Sequence, residues 1–472
     1  MNAGLRAGLL ATIAMSLVGC MVGPDYVRPT APAPAAFKEG QGWKLAQPRD
    51  QAPRGGWWEV FGDAELDALE RQVDIANQTI QAAEARVREA RAATLAARAG
   101  LFPAVSGNAA ALRSSRTGSA GTGGAANSYN AAVDLSWEID LWGRVRRGIE
   151  ASDATAEATA ADLAAARLSV QALLAQNYLL LRVQDAQIQL LRETVAGYEK
   201  SLQLTSNQYA AGIVARGDVT QAEAQLKSTQ AQVFDARISR AQLEHAVAVL
   251  AGKPPAELAI VPRPLVAAFP SIPASVPSEL LERRPDIAAA ERRAASANAG
   301  IGIAQAAFFP SLSLSGVGGL QSSALGNLLA LPSRYWALGA GLVETVFDAG
   351  LRSAQKAGAI AAYDETVANY RSTVLGAFQE VEDNLAALSL LEQEALVQDD
   401  AVKAARESAA IAANQYKAGT VTFIVVVVLQ AAALSNERTA LAILARRLTA
   451  SVGLIKALGG GWNATALAAA KD

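Results

Sequence analysis

Very few side chains in this sequence could do covalent chemistry. Its 472 residues include one cysteine, Cys20, and one histidine, His245. Arg6 supplies a positive charge, residues 9–17 an apolar stretch, and Leu17-Val18-Gly19 lead directly into Cys20. That order is the pattern of a bacterial lipoprotein signal: a charged start, a greasy middle and a small-residue cleavage site ending in cysteine. The expected chemistry is cleavage before Cys20, which becomes the acylated, palmitate-bearing first residue of the mature chain. Met21 follows, not the Asp that commonly retains lipoproteins in the inner membrane, so an outer-membrane destination is expected.

The other candidates argue against catalysis. His245 lies among Leu243, Val247 and Leu250 in a helical pattern and reads as a packing or surface residue. No His, Cys and carboxylate set has metal-ligand spacing. There is no phosphate-cradling glycine motif and no nucleophile elbow. Asp and Glu are abundant and read as solvated helix faces. No enzymatic activity, metal or cofactor is expected. The charge balance, 42 Lys+Arg against 44 Asp+Glu, gives no reason to expect nucleic acid as a partner.

The elements around these residues come in two copies. Ala99-Gly100-Leu101-Phe102-Pro103 returns as Ala306-Ala307-Phe308-Phe309-Pro310, 207 residues later. Asn207-Gln208-Tyr209-Ala210-Ala211-Gly212 returns as Asn414-Gln415-Tyr416-Lys417-Ala418-Gly419 at the same offset. Two landmarks with one offset indicate duplication, with a period far too long for a solenoid. Of 17 prolines, six lie within 24–53 and seven within 254–277, marking an extended tail and a linker. The expected divisions are a signal peptide at 1–19, a tail at 20–56, a first repeat at 57–253, a linker at 254–276, a second repeat at 277–458 and a C-terminal tail at 459–472.

Each repeat opens with a helix, 63–100 and 285–308, that stops at Phe-Pro. Pro285 suits a first helical turn, where its missing N–H costs nothing. Alternation then begins. Tyr129, Ala131, Val133, Leu135, Trp137, Ile139 and Leu141 are apolar, while Asn130, Asp134, Ser136, Glu138 and Asp140 between them are polar. A period of two is a strand with one greasy and one wet face. The expected hairpins pair 104–113 with 129–141, and 311–316 with 335–348. A soluble hairpin on a core shares this alternation, but the strand exceeds the roughly 9–11 residues a tilted membrane strand needs. Trp137, Trp142 and Trp336 also stand where an aromatic girdle would. No segment after the signal approaches ~18 consecutive apolar residues; the densest run is 423–429. A bilayer crossing would therefore be made by strands closed into a barrel. Four strands cannot close one, which takes at least ~8, so several chains would share it.

Very long helices follow each hairpin, the first over 143–209. Ile188, Leu191, Val195, Tyr198, Leu202, Thr205 and Tyr209 recur at alternating steps of three and four, a coiled-coil seam. The second copy has Ala395, Gln398, Val402, Ala405, Ala409, Ala412 and Tyr416 there, allowing closer approach. Returning helices are expected at 218–250 and 422–458. Paired hairpins at one end and long antiparallel coils at the other suit a tube better than a pocket.

Several motifs resemble a known family. Gly23-Pro24-Asp25-Tyr26 follows the lipobox, with Trp57-Trp58 and Phe61 beyond it. Asp140-Leu141-Trp142-Gly143-Arg144 ends the first hairpin. Leu281-Glu282-Arg283-Arg284-Pro285-Asp286-Ile287 and Ala297-Asn298-Ala299-Gly300-Ile301-Gly302 lead into Phe308-Phe309-Pro310. Together these resemble the outer-membrane lipoprotein branch of the TolC-like efflux family, the OprM/NodT type. The resemblance implies a mixed, mainly α fold with four barrel strands per chain. It implies a homotrimer sharing one 12-stranded barrel, continued by an α-helical coiled-coil tunnel through the periplasm. The role implied is an exit duct for drugs or other small toxic compounds, anchored in outer-membrane lipid. Its implied partners are a periplasmic adaptor and an inner-membrane pump of the resistance-nodulation-division class.

In that family the helix–turn–helix tips close the tunnel and meet the adaptor, which here implicates Tyr209, Gly212, Tyr416 and Gly419. The family's second-copy pattern is Gly-Thr/Leu-x-Ser/Thr followed by x-x-Asp-x-x-Asp. Gly419-Thr420-Val421-Thr422 fits, but the acidic positions fall on Val425 and Val428. The corresponding first-copy residues are Asp218 and Gln221. The implied gate therefore has a partly apolar character, although the valines could equally pack into a neighbouring helix. Arg216 and Asp218 are either a tip ion pair or simple surface charges. Two other readings share parts of this pattern. An outlet for protein secretion usually lacks lipidation, and a structural periplasmic coiled coil leaves the amphipathic hairpins unexplained.

Overall fold

The computed structural model describes residues 21–32, 34, 36–39, 56–115, 125–263 and 284–460. Cys20, the signal segment, most of the Pro-rich linker and residues 461–472 lie outside the described residues. The chain is mainly helical with one four-stranded sheet, and its elements run in the same order twice. The first pass is α1 (Ala64–Ala76), α2 (Gln78–Ala99), β1 (Ala104–Ser115), β2 (Ala125–Ile139), α3 (Arg144–Ala210) and α4 (Arg216–Leu250). The second is α5 (Pro285–Ala306), β3 (Ser311–Ser322), β4 (Arg334–Val343), α6 (Leu351–Lys417) and α7 (Phe423–Ala457). α3 and α6 each have 67 residues, about 100 Å of helix at 1.5 Å per residue.

The first helix of the first repeat is two helices, not the single one expected over 63–100. Buried Asn77 is the cause. Its backbone turns out of the helix (φ −69°, ψ 121°). Its side-chain oxygen then accepts from the N–H groups of Thr79 (2.9 Å) and Ile80 (3.1 Å), capping α2. Its amide nitrogen donates to the Leu250 carbonyl at 2.8 Å, so the break also anchors the end of α4. Upstream, Asp63 caps α1 by accepting from the Glu65 and Leu66 N–H groups.

The chain divides into two compact units. One comprises the described residues within Met1–Ala31, Ala85–Ala160 and Ala289–Arg371. It holds the sheet, antiparallel throughout in the order β1-β2-β3-β4. The other comprises those within Pro32–Glu84, Ala161–Ala288 and Ser372–Asp472. It holds the seam. Ile188, Leu191, Tyr198 and Thr205 are buried, as are Ala412 and Tyr416 at the end of the second seam.

Two expectations change in this second unit. Charged groups are not only solvated faces: Arg182 is 1% exposed and binds Tyr178 (3.1 Å), Asp185 (3.1 Å), the Val261 carbonyl (2.8 Å) and Glu65. Arg240 continues the network to Asp185 at 2.6 Å and Glu244 at 3.0 Å, and Arg263 reaches Asp63. A buried charge is tolerable only when paired in this way. Second, α7 is, by length and composition, long and apolar enough to cross a membrane, with a mean hydropathy of 1.3 over its best stretch. The run of consecutive apolar residues ends at Leu429, but the alanines and leucines beyond it keep the average high. α7 carries ion pairs, Glu437 with Arg406 and Arg446 with Glu394 at 3.3 Å, and its first turn packs into a helical core. It is a bundle helix.

Candidate functional site

No cluster of His, Cys, Asp and Glu that could hold a metal occurs among the described residues, and His245 is exposed on α4. The features that could do work are two surfaces, the faces of the sheet and the helix tips.

The sheet register sorts side chains by polarity. Leu135 stands opposite Val105 on β1 and Gly316 on β3, and Gly316 stands opposite Leu338 on β4. The same face carries Val133, Trp137, Leu312, Leu314, Trp336 and Leu342. The opposite face carries Asn108, Asn130, Asp134, Ser136, Glu138, Ser313, Ser315 and Tyr335. Side chains on this second face bond across strands: Asn108 donates to Asp134, Asn130 to Asn108 at 3.1 Å, and the Tyr335 hydroxyl to Asn130 at 3.0 Å. The outer edges of β1 and β4 have no strand partner among the described residues. A long sheet with one greasy face, one wet face and two open edges is incomplete as a single chain. Alternation reaches β4 as well, although its sequence showed this poorly, because Gly339 and Gly341 stand at wet-face positions and read as neutral.

At the foot of the sheet the family-like motifs meet. Asp140 accepts from the N–H groups of Val145 (3.1 Å) and Arg146 (2.9 Å), capping α3. Trp142 stacks on Phe309 (centroids 4.7 Å apart) and donates to the Pro310 carbonyl at 2.8 Å. The described start of the chain lies across this junction. Val22 donates to the Trp142 carbonyl at 3.1 Å, and Asn298 to the Pro24 carbonyl at 2.9 Å. Gly23, at φ +100°, lies so close to Gly302 that an added Cβ would come within 2.5 Å of its Cα. Arg147, 1% exposed, was missed in the sequence. It binds the Val22 and Gly23 carbonyls (both 3.2 Å), Asp25 (2.9 Å) and Glu150 (2.7 Å). Its proximity to the Asp-Leu-Trp-Gly-Arg motif is the one signal that could have found it.

The tips are built alike, bond for bond. Gly212 and Gly419 both sit at φ +73°, where glycine is favoured. Ile213 N–H reaches back to the Gln208 carbonyl (2.9 Å), and Thr420 N–H to that of Gln415 (3.0 Å). Gly212 N–H bonds the Tyr209 carbonyl (2.9 Å), and Gly419 that of Tyr416 (3.0 Å). This paired closure is a Schellman-type stop, which satisfies carbonyls left over at the helix end.

The side chains differ between the tips. Tyr209 is 46% exposed, but Tyr416 is 6% exposed, its ring 5.2 Å from that of Phe423. Tyr416 is thus a core residue of the tip, not a surface contact. It packs with Ala222, Ala412, Phe423, Val426 and Val427, which joins α4, α6 and α7. Val425 and Val428 lie outside this core, 37% and 57% exposed, beside exposed Ile424. Gln221 is exposed and Asp218 half-buried in the first turn of α4. No ion pair joins Arg216 to Asp218 among the described residues; a carboxylate in a helix's first turn is favoured by the helix dipole.

A family profile described as outer membrane efflux protein matches residues 69–253 and 276–460. The toluene efflux pump outer membrane protein TtgC of Pseudomonas putida is 33% identical over 462 residues, covering 96% of this chain and 95% of that protein. The pyoverdine export outer membrane protein OpmQ of Pseudomonas aeruginosa is 30% identical over 416 residues, covering 86% and 87%. Among solved structures, the outer-membrane channel OprN superposes with a TM-score of 0.87 at 32% identity, covering 94% of this chain and 100% of that one.

Proposed function

Because the chain belongs to the outer membrane efflux protein family, and is an efflux channel component of the outer membrane and periplasm, we propose that three copies close one barrel and form the exit duct of a tripartite pump. The observation that carries this reading is the sheet: four strands, two open edges and a clean division of polarity. β4 of one copy would pair with β1 of the next. Three such junctions give twelve strands, above the minimum of ~8 for a membrane barrel. The greasy face would meet lipid and the wet face the lumen. Cys20, acylated, would hold the chain to outer-membrane lipid, and the docked segment after it would place those acyl chains at the foot of the sheet.

The helical tips would meet a periplasmic adaptor, through which the duct serves an inner-membrane pump of the resistance-nodulation-division class. Contact would use exposed Tyr209 and the two turns at Gly212 and Gly419; buried Tyr416 would support them from within. Val425 and Val428 would form the gate with Asp218 and Gln221 near them. Their exposure in the single chain supports this, since a residue packed only into its own bundle would be covered. Narrow apolar rings can stop ions by excluding water. The cargo would be small toxic compounds, antibiotics among them. The duct would do no catalysis and use no cofactor.

The test is the mass of the detergent-solubilised protein, with a cysteine placed on the free edge of β1 and another on that of β4. A trimer in which these cysteines crosslink between chains is expected. A monomer, or crosslinks formed only within one chain, would overturn the reading.

A further inference from the structure

The inference concerns what such a barrel lets through, and it rests on the trimeric reading above. The four strands carry four charged side chains: Arg113, Asp134, Glu138 and Arg334. Arg113 stands opposite Asn127 and Arg334 opposite Leu320, which puts both on the greasy-face register. The wet face therefore holds two carboxylates and no basic group among the described strand residues. These two differ in their surroundings. Glu138 is gripped by the Arg144 guanidinium, from Nε at 2.9 Å and Nη2 at 2.6 Å, so its charge is neutralised where it stands. Asp134 receives only the neutral Asn108 amide, which is itself held by Asn130 and, through it, by Tyr335. Asp134 lies five residues before the end of β2 at Ile139, about 17 Å into the sheet at ~3.3 Å per residue.

We propose that Asp134 sets the ionic preference of the barrel, three carboxylates around the lumen favouring cationic over anionic species. Rings of Asp or Glu do this in cation channels, because a low-dielectric wall focuses their field into the aqueous path. The neutral Asn108–Asn130–Tyr335 chain fixes the carboxylate against the wall without cancelling its charge. Reach depends on salt. The screening length is ~30 Å at 0.01 M and ~3 Å at 1 M, so the preference should be strong in dilute solution and vanish in concentrated salt.

The experiment is the reversal potential of the reconstituted full-length protein under a KCl gradient, for wild type, Asp134→Asn and Asp134→Cys. Wild type should prefer cations in dilute salt and lose that preference near 1 M. Asp134→Asn, which keeps an acceptor for Asn108, should lose the preference at every salt concentration. An anionic thiol reagent on Asp134→Cys should restore it, and a cationic reagent should reverse it. If both reagents react but neither they nor Asp134→Asn move the reversal potential, the lumen assignment stands and the role given to Asp134 is wrong. If the introduced thiol resists both water-soluble reagents, the wet face does not line the lumen and the barrel reading fails with it.

Discussion

Glu70 is fully buried on α1, and neither carboxylate oxygen has a hydrogen-bond partner among the described residues. Burial first, and Asp74 one turn away second, push its carboxyl from 4.5 up to about 9. The acid is therefore protonated in the fold and ionised in the unfolded chain across the neutral range. A raised folded value means that its contribution to stability is complete below about 4.5 and is lost as pH rises toward about 9. Glu70→Gln should flatten that loss. In thermal melts from about pH 5 to about pH 8.5, wild type should weaken more than the variant; parallel curves would mean that Glu70 is not the titrating group. Cys20 belongs to the same scale. Cys20→Ser should take up no labelled palmitate while wild type does, and an unlabelled wild type would refute the anchor. The two residues were unequally legible. Cys20 announces itself through the small residues before it, since a signal peptidase reads local sequence. Glu70 looks like any helix-face acid, because its burial depends on neighbours distant in the chain.

The hairpin strands were readable because alternation is a local property that follows from the pleat. They carry a sharp prediction. Leu135 and Ser136 are adjacent but point to opposite faces. Arg at position 135 should cost ~2–4 kcal/mol of barrel stability if it meets the bilayer midplane, whereas Ser136→Arg should be tolerated and change conductance. Urea or thermal unfolding of the two variants in lipid checks this; equal tolerance would reverse or abolish the assigned faces. The break at Asn77 was less legible. Asn is an ordinary helix residue by propensity, and it stops α1 here only because the Leu250 carbonyl awaits its amide. Nor did sequence show that Tyr416, at the same seam position as Tyr209, is buried while its counterpart is exposed. The difference comes from Phe423 and the valines of α7, for which α4 has Arg216, Gly217 and Asp218.

At the scale of the whole molecule, duplication is the main fact. The offset seen in the sequence reappears in the hydrogen bonds that stop the helices at Gly212 and Gly419, so both copies inherited the same turn. Divergence is confined to what the turns present: a polar pair, Asp218 and Gln221, on one, and Val425 with Val428 on the other. The central claim is that these elements form a conduit through a membrane, closed at the valine tip. Planar-bilayer recording of the purified protein beside Val425→Asp tests it most directly. Three carboxylates in a narrow ring would repel one another and admit water. The expected result is discrete current steps from both proteins, with a larger resting conductance and a stronger cation preference in the variant. Absence of current steps from either protein, although it inserts into the bilayer, would contradict the conduit itself. Steps of identical size and ion preference would show that the valines are packing residues and that the duct closes elsewhere.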